Sequence, residues 1–444
     1  MPTLTSYDPS TGEAIGTVAI TTAAQIPAIT NAAKKAQKSW AALSLSKREQ
    51  LVTQAYQRLV PVQNQLSKLI SQEMGKDHRR ATYEVGGTIQ SSAYFSNEIV
   101  EALTAEQVDR GTELQYRPLG IVAVIAPWNY PLAMMNNLLM PALIAGNSVI
   151  LKPSEETPLV AELFVNTLNE ILPVNVLQLA QGDKQTGQAL VASDINMVAF
   201  TGSMAAGKHI MANAAPGLKR LVMELGGNDP MIVMASANLD AAVQFAVASS
   251  FENAGQMCTS TERIYVDVRV AAEFERKVVD LASQYKVGAW DQPHVNIGPI
   301  VNQKQHKNVL AQLQDATAKG AQILLGSDHY PLPFIPPTVI TGITPDMRLE
   351  QDETFGPVVA ISRFETIDEA ITRANDSPYG LGAVVFGGQG ANAVAEQLEA
   401  GMVGVNQGAG GGNAPWVGAK QSGYGFHGTA AGHRQFAQVR VISK

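Results

Sequence analysis

One side chain in this sequence is a soft nucleophile: Cys258, the single cysteine among 444 residues. A lone cysteine can neither close a disulfide within its chain nor build a thiolate metal cluster, which leaves two roles, buried filler or nucleophile. It follows Asn253, Ala254, Gly255, Gln256 and Met257, in a turn after a helix predicted to end at Gly255, and outside any periodic apolar segment. A thiol that must reach a substrate and ionise needs such an accessible, polar setting.

Two further polar residues could serve that chemistry. Glu224 ends an apolar run just before Gly226 and Gly227, and a carboxylate at the end of a parallel strand faces the crevice where ligands collect. There it can take a proton from a thiol or a water; a solvated or capping glutamate is the alternative. Asn129 stands between Pro127 and Pro131, whose rings stiffen the turn and can aim the amide at a developing oxyanion. Its alternative is a plain asparagine turn.

Two places suggest a nucleotide. Phe200, Thr201, Gly202 and Ser203 lie between an apolar run and a helical pattern, so N–H groups at the helix start can meet a pyrophosphate. That pattern alone is weak. Lys152 ends another apolar run and is followed by Ser154 and Glu155. The lysine can bind ribose hydroxyls and Glu155 can accept from a 2′-OH; a 2′-phosphate would meet Glu155 as a like charge, so NAD is favoured over NADP.

These residues need a scaffold of alternating strands and helices. Runs of Val, Ile and Leu bounded by Gly, Pro or Asn predict strands at 121–125, 148–151, 176–179 and 196–200, with helices at 137–145, 156–171, 185–192 and from 204. Such a series is a doubly wound α/β nucleotide-binding layer. A second series follows, with strands at 231–234 and 263–268, helices at 239–251 and 271–283, and further α/β units to about residue 404. The glycines from 408 to 412 suggest a binding loop or hinge. Residues 436–442 alternate like an edge strand that invites a partner subunit.

Composition narrows the function class. At 444 residues the chain exceeds one core and implies two or three folding units. Charged residues are 16%, and 32 basic against 39 acidic side chains give a net charge of −7, so there is no polybasic surface for nucleic acid. The first residues lack the basic cap and apolar run of a secretory signal, and the apolar runs are too short for a membrane span; a soluble cytoplasmic protein is expected.

Taken together, Pro127-Trp128-Asn129, Lys152 with Glu155, Phe200-Thr201-Gly202-Ser203, Glu224-Leu225-Gly226-Gly227, Gly255-Gln256-Met257-Cys258 and Glu353-Thr354-Phe355-Gly356-Pro357 resemble the aldehyde dehydrogenase superfamily, in order and over nearly the whole chain. The resemblance implies that Cys258 attacks the aldehyde and that Asn129, with the Cys258 backbone N–H, holds the oxyanion. Hydride then leaves for a nicotinamide, and Glu224 activates the water that hydrolyses the thioester. Glu353 would bind the nicotinamide ribose with Phe355 beside the ring, and Lys152, Ser154 and Glu155 the adenosine ribose. Ile125, Pro127, Trp128, Gly182 and Leu225 would line the remainder of the cofactor, NAD or NADP, with no metal. Implied also are an NAD(P)-binding domain (1–100 and 119–226), a catalytic domain (227–427), an oligomerisation element (101–118 and 428–444), and a dimer or tetramer.

Three positions depart from that pattern. Leu138 stands where many relatives carry a lysine, and His427 where a glutamate of the same proton relay is usual, so His427, an imidazole that ordinarily titrates near neutral pH, is expected to serve the proton exit. Asn137 stands where succinic semialdehyde dehydrogenases commonly carry an arginine for the substrate carboxylate. An amide is a poor substitute for a bidentate guanidinium, which favours an uncharged aliphatic or aromatic aldehyde. Arg263 is widespread in the family and identifies no substrate. Succinic semialdehyde oxidation, transfer of the thioester to coenzyme A, and a cofactor-binding protein without catalysis remain the alternatives.

Overall fold

The computed structural model describes residues 2–411 and 413–444. The first sheet carries five parallel strands in the spatial order Arg220–Glu224, Met197–Thr201, Ile121–Ile125, Ser148–Lys152 and Leu177–Leu179, with Gly423–Tyr424 antiparallel at one edge. Strand order reverses at Ile121–Ile125, which makes its carboxyl end a switch-point crevice. The three central strands are buried along their whole length, the reason they read as continuous apolar runs. Val122, Val124, Val149 and Leu151 pack with the helices Pro131–Ile144 and Pro158–Leu168. Ile121, Ala123, Ile150 and Val198 pack with Ile26–Ala42, Lys184–Ala192 and Met204–Ala214 on the other face.

The second sheet runs Gln322–Leu325, Thr338–Thr341, Val358–Phe364, Thr261–Asp267, Asp229–Val233, Gly382–Phe386, Met402–Val405, all parallel except the first. Its largest apolar cluster packs Leu239–Phe251 and Val268–Ala282 on one face. A third, antiparallel sheet joins Glu106–Asp109, Thr112–Pro118 and Ala437–Ser443, so the C-terminal strand pairs with the hairpin inside its own chain and leaves its other edge open.

The helix predicted at 137–145 begins six residues earlier, at Pro131. Proline suits a first helical position, and the Glu84 carboxylate accepts from Leu132 N–H (2.9 Å) and Ala133 N–H (3.2 Å), donors that a helix start otherwise leaves unpaired. The helix predicted at 156–171 is Pro158–Leu168, fixed in the same way by Glu73, which accepts from Leu159 and Val160. Of the predicted 408–412 loop, Gly412 lies outside the described residues.

Only Leu225 to Asn228 separate the end of Arg220–Glu224 from the start of Asp229–Val233. The carboxyl edge of the first sheet therefore meets the amino edge of the second, and the candidate side chains come from loops along that seam.

Candidate active site

Asn129 follows the Ile121–Ile125 strand and is buried. Its Nδ2 donates to Gln256 O at 3.1 Å, and Asn253 Nδ2 donates back to Asn129 O at 3.2 Å, so the turn from the first sheet is tied to the loop carrying Cys258. Behind it the Tyr130 hydroxyl donates to Glu252 at 3.0 Å, and the buried Lys76 ammonium lies 3.5 Å from the Tyr130 ring centroid while pairing with Glu84 at 2.6 Å. The helix start is thereby fixed on both sides.

The helix before Cys258 is Leu239–Phe251, the bounds that its apolar pattern predicts, and it does not run on to Gly255 as expected for the turn. Asn253 (φ 53°), Ala254 (φ 59°) and Gly255 (φ 71°) then adopt left-handed conformations in succession. For a residue with a Cβ this costs about 1–2 kcal/mol, and it persists only where surroundings fix it. Gln256 supplies that: Nε2 donates to Asn253 O (3.2 Å) and Oε1 accepts from Val301 N–H (2.9 Å). Close approach explains two glycines. A Cβ on Gly255 would stand 2.0 Å from Gly356 O, and one on Gly227 2.3 Å from Cys258 O.

Cys258 is half-buried. Burial raises its thiol pKa, and the carboxylates of Asp229, Glu224 and Glu353 raise it further. The polar surroundings expected to help it ionise are acidic, so in the resting protein the thiol stays protonated at neutral pH. Glu224, 2% exposed, has no hydrogen-bond partner at either carboxylate oxygen, and burial pushes its pKa well above the usual range. A buried acid without hydrogen-bond partners is destabilising in itself.

Glu353 Oε1 accepts from Gly227 N–H at 3.2 Å; burial raises both it and its neighbour Glu262. The Phe355 ring meets Trp128 edge to face, centroids 5.5 Å apart at 84°. Along the first sheet's carboxyl edge, Lys152 is buried, with Nζ 2.8 Å from Pro153 O and 3.4 Å from Glu155 Oε2. Ile125 ends the central strand, and Ser154 Oγ accepts from Glu156 N–H. Gly182 packs against Thr186, and Leu225 against Gly207. The Gly202 N–H, expected to be free for a pyrophosphate, donates to Glu224 O at 3.0 Å, and Ser203 caps its helix by accepting from Ala206 N–H. The Phe200 ring lies under Gly202. Thr201 Oγ1 is buried and unpartnered. An orphaned hydroxyl, a buried ammonium beside a carboxylate and a partly exposed Glu353 on one seam are a donor and acceptor set that fits a dinucleotide.

A further expectation changes. His427 is buried, and burial lowers its pKa to about 4; a relay that depends on imidazole titrating near neutrality is not what this site offers. Arg263 is spent on structure, donating to Asn228 O (2.8 Å), Arg373 O (3.1 Å) and Ala374 O (3.1 Å). Sequence reasoning missed Asp229, Glu262 and the Asn253–Gln256 lock. The one available signal was the charged pair Glu262–Arg263 just ahead of the apolar run Ile264–Tyr265–Val266.

The model of the aldehyde dehydrogenase family matches residues 2–442. A relative from Sinorhizobium fredii named probable succinate-semialdehyde dehydrogenase [NADP(+)] is 36% identical, over 98% of this chain and 91% of its own. An aldehyde dehydrogenase structure from Bartonella henselae superposes with a TM-score of 0.96 at 33% identity, covering 100% of this chain and 96% of the other. A mutant aldehyde dehydrogenase C from Pseudomonas syringae, complexed with NAD+ and octanal, gives 0.95 at 32% identity, covering 100% and 93%. Among the described residues, no helix is long and apolar enough to cross a membrane, and no group of three His, Cys, Asp or Glu could hold a metal ion.

Proposed function

The chain belongs to the aldehyde dehydrogenase family, whose members oxidise aldehydes with NAD(P), and from that premise we propose that Cys258, Asn129 and Glu224 carry the reaction here. The observation that carries this reading is their convergence on one seam: Asn129 is bonded to the loop two residues before Cys258, and an unpartnered Glu224 acts electrostatically on the thiol.

Cys258 loses its proton, to Glu224 or to water, and its sulfur adds to the aldehyde carbon. Asn129 Nδ2 and the Cys258 N–H then hold the oxyanion of the thiohemiacetal. When bound, oxidised NAD(P) would supply the hydride acceptor for that carbon and the positive charge that the acidic surroundings of the thiol lack. Glu224, in its ionised form, takes a proton from water, the hydroxide adds to the Cys258 thioester, and the C–S bond breaks to release the acid; the proton then leaves Glu224 for solvent, and the sum is aldehyde, NAD(P)+ and water to acid, NAD(P)H and H+. Glu353 and Phe355 with Trp128 would hold the nicotinamide riboside, and Lys152, Ser154 and Glu155 the adenosine ribose. Thr201, Gly202 and Ser203 would border the pyrophosphate, with Ile125, Pro127, Gly182, Phe200 and Leu225 lining the rest of the cofactor.

NAD is the preferred cofactor, because Glu155 lies beside Lys152 where a 2′-phosphate would sit. The substrate is an uncharged aliphatic or aromatic aldehyde: Asn137 is no cation, and the Arg263 guanidinium is already spent on backbone carbonyls. Succinic semialdehyde with NADP is the second reading, favoured by the name of the S. fredii relative. Steady-state rates for hexanal, benzaldehyde and succinic semialdehyde, each with NAD and NADP, decide between them; a higher kcat/KM for the acid aldehyde reverses the assignment. The open edge of Ala437–Ser443 suits a homo-oligomer. The three larger sheets support the domain division at 1–100 with 119–226, 227–427, and 101–118 with 428–444, apart from Gly423–Tyr424, which pairs with the edge of the first sheet, and a cytoplasmic dimer or tetramer completes the reading.

A further inference from the structure

Thr261–Asp267 and Val358–Phe364 pair from Ile264 opposite Ile361 onwards; before that point the chains diverge, one towards Cys258 and the other towards Glu353. Glu262 spans the gap. Its Oε2 accepts from Thr354 N–H at 2.6 Å and its Oε1 from Phe355 N–H at 2.8 Å. The carbonyls of the same segment are also taken: Gln312 Nε2 donates to Glu353 O (3.0 Å), and Gln305 Nε2 to Thr354 O (2.9 Å) and Phe355 O (3.0 Å). Phe355 sits at φ 52°, a left-handed conformation that an aromatic residue keeps only when its neighbours impose it.

The segment held in this way presents Glu353, bonded to Gly227 N–H, and the Phe355 ring, packed on Trp128. Glu262 is also four residues from Cys258 along a continuous loop and strand. We propose that Glu262 is a positioning residue for hydride transfer: it holds the Glu353–Phe355 segment, and through it the nicotinamide riboside, in register with the nucleophile. The proposal rests on the cofactor roles of Glu353 and Phe355 given above. Each oxygen of Glu262 serves a different N–H, so Gln keeps one acceptor and turns an amide donor against the other N–H.

The test is binding of NADH, by energy transfer from tryptophan, and of AMP, by its competition. AMP lacks the nicotinamide riboside. Glu262→Gln should weaken NADH roughly tenfold and Glu262→Ala roughly ten- to a hundredfold, the loss of one or two charge-assisted hydrogen bonds. AMP should change by less than about twofold, because half the dinucleotide never touches the segment. Unchanged NADH affinity in Glu262→Ala, or equal losses for both ligands, overturns the proposal; the second result marks a merely structural role. Should Glu262→Ala fail to fold, Glu262→Gln carries the same comparison. Glu353→Gln is the control: if it binds NADH normally, the reading of Glu353 fails and the proposal with it, whereas a weakened Glu353→Gln beside a normal Glu262→Ala refutes the proposal alone.

Discussion

Replacing Glu224 by Gln keeps the volume and removes only the ability to accept a proton. Removing a general base costs typically 10²–10⁴-fold, about 3–5 kcal/mol of transition-state stabilisation. That loss should fall on deacylation, since Glu224 is assigned to the hydrolytic water. A stopped-flow trace at saturating aldehyde and NAD+ should show a burst of about one NADH per site followed by a slow steady state. Stability supplies an independent check. Both Glu224 oxygens lack partners and burial raises its pKa well above 4.5, so burial disfavours the carboxylate and a neutral amide replaces it at little cost. The unfolded chain ionises near 4.5 while the folded chain resists, so the natural protein loses stability as pH rises from 4.5 towards the folded pKa and the variant does not. The variant should equal the natural protein at pH 5 and exceed it at pH 8 in urea melts. A steady-state rate within about threefold of the natural enzyme, less than 1 kcal/mol, would refute the assignment of Glu224 as base. A missing burst would place its role before hydride transfer.

Three further outcomes follow from the same coordinates. Gly227→Ala puts a Cβ 2.3 Å from Cys258 O, so the nucleophile's loop must shift; kcat should fall by at least about tenfold, with about 1–3 kcal/mol lost in urea melts. Lys76→Met strands Glu84 in a site where neither side chain is more than 1% exposed; equilibrium unfolding should show a loss of about 3–5 kcal/mol, most of it regained with Glu84→Gln. His427 and His433, both lowered by burial to about 4, stay neutral in the folded state while the unfolded chain charges them near 6.5. Stability is therefore full above pH 6.5 and declines towards pH 4, by about 3 kcal/mol for each imidazole. His433→Leu, at a ring whose two nitrogens have no partner, should raise the melting temperature at pH 5 more than at pH 8.

Much of the scaffold could be read from residue order. The strands Ile121–Ile125 and Met197–Thr201 are buried on both faces, and burial on both faces produces the unbroken Val, Ile and Ala runs that mark them. The turns holding Asn129, Glu224 and Cys258 stood out because glycine and proline are forced there by close approach, as at Gly227 and Gly255. Helix starts were misjudged, because Glu84 and Glu73 supply the missing acceptors from segments far away in sequence. The role of Glu262 was hidden for the same reason: the Glu262–Arg263 pair marks the residue, but its partners lie about ninety positions downstream, and no local pattern encodes that meeting. Burial misled twice. Burial together with the nearby carboxylates at Cys258, and burial at His427, shift both groups away from the titration that their residue types suggest.

The central claim is that the substrate becomes covalently attached to one sulfur atom, and rapid-quench peptide mass spectrometry of the Glu224→Gln variant addresses it directly. After mixing with hexanal and NAD+, the peptide carrying Cys258 should gain one hexanoyl group in place of its thiol hydrogen, in step with the NADH burst. NADH formed at the burst rate while that peptide keeps its unmodified mass would contradict the account.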